Sequence, residues 1–107
     1  MLSLQPAPGN FEQQLQRLNA LLASLERQLQ DAQATFDEQE RQFGIRINQL
    51  TDPNLDQGSR DDLLTALAEV DQEEQDYRGL AVHRIQLIEQ QISDTQQDIQ
   101  DLLAAQP

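Results

Sequence analysis

Cysteine, tryptophan and lysine are all missing from the 107 residues. Without cysteine there is no disulfide, no thiol redox centre and no thiolate zinc site. Without lysine, the positive charge rests on arginines placed singly at Arg17, Arg27, Arg41, Arg46, Arg60, Arg78 and Arg84. Nucleic acid binding needs clustered positive charge to displace counterions, and anionic membrane surfaces attract the same kind of cluster. Neither partner is expected. Aromatic residues make up 4% of the chain, so the core is thin. No apolar run approaches the roughly 18 residues of a membrane span. The opening MLSLQPAPGN has neither the basic region nor the apolar stretch of a signal peptide. Cytoplasmic location is the default expectation.

What is present is acidic and helical. Formal net charge is −12, which points to neutral or basic protein partners. One break, Thr51 to Ser59, reads TDPNLDQGS and gathers proline, glycine and the short polar residues of turns. Long stretches of helical periodicity flank it. The spacing predicts an N-terminal arm over 1–9, a helix over 10–50, a loop over 51–59 and a helix over 60–105, with 10–105 as one domain.

The first helix is expected to start with Asn10 as N-cap and Glu12 in its first turn. One seam column is Leu15, Leu22, Leu29, Phe36, Phe43 and Leu50. The other is Phe11, Leu18, Leu25, Ala32, Gln39 and Arg46. Ser59 is expected to cap the second helix, with Asp61 and Asp62 in its first turn. Its C-terminal seam runs through Ala81, Ile85, Ile88, Ile92, Thr95, Ile99 and Leu102. Two columns compete in its earlier half: Leu64, Leu67, Asp71, Glu74 and Arg78, or Leu63, Leu67, Val70, Glu74 and Tyr77. The second fits better, and it implies two consecutive four-residue steps between Tyr77 and Ile85, a stutter in the heptad.

Folding the chain about Leu55 brings apolar positions together: Phe11 on Ile99, Leu18 on Ile92, Leu22 on Ile88, Leu25 on Ile85, Leu29 on Ala81 and Phe43 on Leu67. The expected fold is all-α, a long antiparallel helical hairpin forming a two-helix coiled coil. Gly44 and Gly79 are candidate kinks, with a three-helix bundle as the alternative. The end near the termini is a Leu/Ile zipper, the middle is polar and loosely specified, and the loop end regains apolar residues.

Candidate chemistry is sparse. Asp52, Asn54 and Asp56 share the alternate spacing of an EF-hand calcium loop. The loop departs from that pattern where Gln57 delays Gly58 and where Leu63 replaces the closing glutamate, so a turn followed by a capped helix is the reading. His83 has no second histidine or cysteine to share a metal. The serines and threonines have no base at helical spacing, so nucleophilic catalysis is unsupported. No glycine forms a phosphate loop. No catalytic residue, metal or cofactor is expected, and the protein is read as not an enzyme. Glutamine, a good helix former, fills exposed helix positions.

The pattern is similar to that of secretion-apparatus stalk proteins, prefoldin-like chaperones and adaptor subunits, which are also long helical hairpins. No specific motif accompanies it, so no functional residue carries over. The expected function is a non-enzymatic protein–protein interaction module, a small acidic coiled-coil scaffold or adaptor. The alternative is a small acidic chaperone, or a secretion-associated hairpin, for a basic or helical client. Phe43, Ile45, Ile47, Leu63 and Val70 are the candidate partner-binding residues, because apolar side chains there leave the regular columns. A mini-core closing the hairpin end is the competing reading of the same residues. Self-association, as a homodimer, is the other expected use of apolar surface.

Overall fold

The computed structural model describes residues 8–54 and 59–105, which form an all-α helical hairpin of α1 (Pro8–Leu50) and α2 (Arg60–Ala104). The expected arm over 1–9 lies outside the described residues as far as residue 7; Pro8 and Gly9 belong to α1. Pro8, not Asn10, opens the helix. Proline suits the first helical position because its φ is already helical and its missing N–H would be unpaired there anyway. Glu12 therefore falls beyond the first turn, which holds no acid.

At the other end of α1, the Thr51 amide and hydroxyl both donate to the Ile47 carbonyl, at 3.0 and 2.9 Å. Pro53 follows and cannot extend the helix. Asp52 accepts the Asn54 amide at 2.9 Å, an Asx turn. The Ser59 hydroxyl accepts the Asp62 amide at 3.1 Å, and its carbonyl accepts the Leu63 amide at 3.1 Å. These two bonds are the expected start of α2, with Asp61 and Asp62 at the positive end of its dipole.

The helix surfaces are held by local amide–carboxylate bonds. Gln42 donates to Glu38, Gln72 to Asp76, Gln75 to Asp71, Gln90 to Asp94 and Gln97 to Asp101, each at 2.9 Å and one turn away. Pairs at this spacing support a helix by about 0.2–0.5 kcal/mol each. Glutamine thus occupies the water-facing sides and ties down acidic neighbours.

The described residues fall into two compact units. In the terminal unit, Phe11, Leu15, Leu18, Leu22, Leu25 and Leu29 turn inward from α1. Ile88, Ile92, Thr95, Ile99 and Leu102 turn inward from α2. Leu25 and Ile88 are its buried apolar side chains. Thr95 is buried too, and its hydroxyl donates to the Gln91 carbonyl at 2.8 Å, so the polar group is satisfied within its own helix.

In the loop-side unit, α1 turns Ala32, Phe36, Glu40, Phe43 and Leu50 inward. From α2 come Leu63, Ala66, Leu67, Val70, Glu74, Tyr77, Ala81 and Ile85. Of the two competing columns in α2, the one through Leu63, Val70 and Tyr77 faces in, while Leu64, Asp71 and Arg78 face water. The expected column in α1 is corrected at one point: Glu40 is half-buried and Gln39 is exposed. Ala32, Phe36 and Glu40 are therefore two consecutive four-residue steps, a stutter in α1 matching that at Tyr77, Ala81 and Ile85.

The mirror about Leu55 is also corrected. It sets Tyr77 against Gln33. Instead the Tyr77 ring lies 6.2 Å from Phe36 and 6.0 Å from Phe43, so residue 77 stands between them, level with Glu40. Arg78 reaches Glu40 and Arg46 reaches Glu73 at the same offset. In the terminal unit a shallow groove joins Gln14, Arg17 and Leu18 to Asp98, Asp101 and Leu102, so Leu18 stands beside residues 98–102 and not beside Ile92. In each unit the register is displaced by about one heptad from the sequence mirror. The two stutters then lie level, Ala32 with Ile85, Phe36 with Ala81 and Glu40 with Tyr77.

Two helices, not three, account for the described residues, and both run unbroken through the candidate kinks. A Cβ built on Gly44 or Gly79 meets nothing within 4 Å. Each glycine therefore costs helix stability with no packing reason to be there. Gly44→Ala and Gly79→Ala are each expected to stabilise the fold by about 0.5–1 kcal/mol, read as a rise of several degrees in the melting temperature. A fall would show that a kink at that glycine is required.

Candidate functional site

The candidate residues separate by environment. Val70 is 4% exposed and belongs to the core. Phe43, Ile45 and Leu63 are half-buried. Ile47, at 38%, stands in water, and so does Leu64 at 52%. The candidate set is therefore not one face: Ile47 and Leu64 are exposed, Leu63 turns inward, and Ile45, two residues from Ile47, lies on another side of α1. The preferred column through Leu63 leaves Leu64 off the seam, and the structure exposes it. Asp56, Gln57 and Gly58, on which the calcium-loop comparison turned, lie outside the described residues. Among the described residues no group of acidic and histidine side chains is arranged to hold a metal.

The middle of the loop-side unit is an ordered layer, where the sequence suggested loose packing. Phe36 and Tyr77 stack with planes 10° apart, Phe43 tilts against Tyr77 at 49°, and the Arg46 guanidinium lies 5.7 Å from the Phe43 ring centre. Arg78 Nη2 donates to Glu40 Oε2 at 3.1 Å and lies 2.6 Å from Glu74 Oε1, off the hydrogen-bond direction. Glu40 Oε1 and Glu74 Oε1 are buried, and the Arg78 guanidinium lies against the second of them. One arginine thus serves two inward carboxylates, one from each helix. Arg46 Nη1 donates to Glu73 Oε2 at 2.7 Å beside this layer. Among the described residues these are the ion pairs that join the two helices.

The charges respond as this geometry requires. The hydrogen bond from Arg46 holds the Glu73 carboxyl below its ordinary range, and Arg46 rises in turn. Arg78 is raised by its hydrogen bond to Glu40 and then by the nearby charge of Glu74. On α1, the bidentate bond from Arg41, aided by Gln42, lowers Glu38 to about 2. A carboxyl depressed on folding adds stability above its unfolded value and loses it as pH falls. The stability difference between the parent and Arg46→Ala is therefore expected at neutral pH and should shrink below the ordinary carboxyl value of 4.5. Denaturant melts of both proteins across that range check it. A difference that grows on acidification would contradict the pairing.

Apolar side chains stand in water in both units. In the terminal unit Leu21, Leu87 and Leu103 are exposed. In the loop-side unit Leu80 is exposed at 74%, with Val82, Leu64 and Ile47. No described helix is long and apolar enough to cross a membrane. Compared with known proteins, the chain matches no family model, no curated protein and no solved structure.

Proposed function

We propose that this chain is a non-enzymatic protein–protein interaction module, an acidic coiled-coil scaffold or adaptor of the cytoplasm. The observation that supports the reading is the imbalance between buried and exposed apolar side chains. Among the described residues, Leu25, Val70 and Ile88 are the buried hydrophobic ones, whereas seven large ones, with Leu80 foremost, lie open to water. Scattered exposed leucines are ordinary on a large globular protein. On a two-helix fold with so small a core they are surface that another protein would cover. A net charge of −12 favours a neutral or basic partner and opposes close self-association at low salt.

The loop-side face around Ile47 and Leu64 is the part assigned to the partner. Charge flanks it at Arg46, Arg60, Asp61 and Asp62, the polar rim expected of a recognition surface. Sedimentation of the pure chain over a range of concentration and salt tests self-association. Crosslinking in native cells, followed by mass spectrometry, tests for a partner in fixed stoichiometry whose capture is lost in Leu64→Asp. A broad set of unrelated clients would replace the scaffold reading with a chaperone. A chain that stays monomeric, with no partner sensitive to Leu64→Asp, would overturn both.

A further inference from the structure

A heptad seam has an ambiguity built into it. A hairpin whose apolar residues repeat every seven positions can slide by seven and still set apolar against apolar. Here the two alternatives are both visible. In the observed register Tyr77 is level with Glu40, between Phe36 and Phe43. In the register mirrored about Leu55, Phe43 stands against Leu67 and Ile47 against Leu63, again apolar on apolar. The leucine and isoleucine positions outside the stutters do not discriminate between them.

The polar layer does. After a slide of one heptad Tyr77 would face Gln33, Arg78 would face Ala32 and Glu40 would face Val70. Glu40 and Arg78, now 3.1 Å apart, would separate by about 10 Å along the axis, at 1.5 Å per residue. The Arg46–Glu73 bond and the Phe43–Tyr77 contact would be lost with it. The link from Leu50 to Arg60 permits both registers. Its nine intervening residues reach about 30 Å when extended, against an axial change of about 10 Å.

We propose that the layer of Glu40, Glu74, Tyr77 and Arg78 is a register lock, and that the hairpin released from it slides by one heptad into a second register. The slide would bring Ile47 level with Leu63 and cover part of the loop-side face. The lock itself stands independently of whether that face binds a partner.

The natural absence of cysteine makes the test direct. In the full chain, Ile47→Cys with Val70→Cys reports the observed register, and Ile47→Cys with Leu63→Cys reports the second. Cysteines one heptad out of level cannot close a disulfide, whose Cβ atoms lie about 4 Å apart. Under a redox buffer the first pair is expected to close at least about tenfold faster than the second, since stacked rings and paired charges in one layer favour one register by that order. In an E40L/E74L/R78A background, which adds apolar surface and keeps the helices, the ratio is expected to fall severalfold. R46A/R78A, which removes the cross-helix cations alone, should move it the same way. Equal closure of both pairs in the parent overturns the lock. So does a ratio unchanged in both backgrounds with helicity retained.

Discussion

Val70→Asp is expected to unfold the loop-side unit, while Leu64→Asp leaves it standing. The two residues lie six apart on α2 and belong to the two competing heptad columns. Val70 is 4% exposed, so a carboxylate there is desolvated. An uncompensated buried charge costs about 3–5 kcal/mol. That corresponds to a drop of more than about 10 °C in a domain of this size. Leu64 is half in water, so a carboxylate there stays solvated. Its replacement should stay within about 0.5 kcal/mol. Thermal melts followed by circular dichroism separate the two. If Leu64→Asp melted as low as Val70→Asp, the placement of Leu64 on the outside would be wrong, and the partner-facing reading of that side would go with it.

The second large effect is expected in the terminal unit. Leu25 is 4% exposed and faces the Ile/Thr column of α2. Leu25→Ala removes its transfer energy and leaves space that two rigid helices fill poorly. Such changes cost about 2–5 kcal/mol, a large share of the total stability of a small domain. Leu21, one turn away and 47% exposed, is the internal control. Leu21→Ala should change stability by less than about 0.5 kcal/mol, and alanine's helix propensity offsets part of that. Urea melts should therefore show a shifted midpoint for Leu25→Ala alone. Equal losses at the two positions would mean that Leu21 is covered, by a second copy or by another part of the chain.

Much of this architecture was legible from residue spacing. The TDPNLDQGS break, the Ser59 cap and the alternating three- and four-residue intervals suffice for two helices and an antiparallel return. The stutter at Tyr77 to Ile85 was legible too, because two four-residue steps are visible wherever the apolar residues are large. The partner stutter in α1 was not. It passes through Glu40, and a glutamate next to Gln39 carries no hydrophobic signal that would favour one over the other. Val70 is a candidate site residue in the sequence because apolar residues there leave the regular columns, yet the column through Leu63 and Tyr77 carries it inward, and spacing alone does not say how deep the seam is at that point.

The order of the candidate surface had the same limit. From composition the middle of the chain is acidic and poor in leucine, which reads as weak packing. In three dimensions Phe36, Tyr77 and Phe43 interleave, and Arg78 meets carboxylates from both helices. The partners that cross between the helices, Tyr77 with Phe36 and Phe43 and Arg78 with Glu40, are separated by more than thirty residues in the chain, so no local window contains them.

Local chemistry in the chain was enough for helix, turn and antiparallel sense, because capping, proline geometry and amphipathic period act over a few residues. The register of one helix against the other required the folded contacts. A heptad pattern is unchanged by a shift of seven, so the apolar columns fit the mirror about Leu55 and the observed offset alike. The degeneracy is broken by residues that occur once, the aromatic trio and the arginines with their carboxylates, and their preference is felt only when the two helices lie side by side.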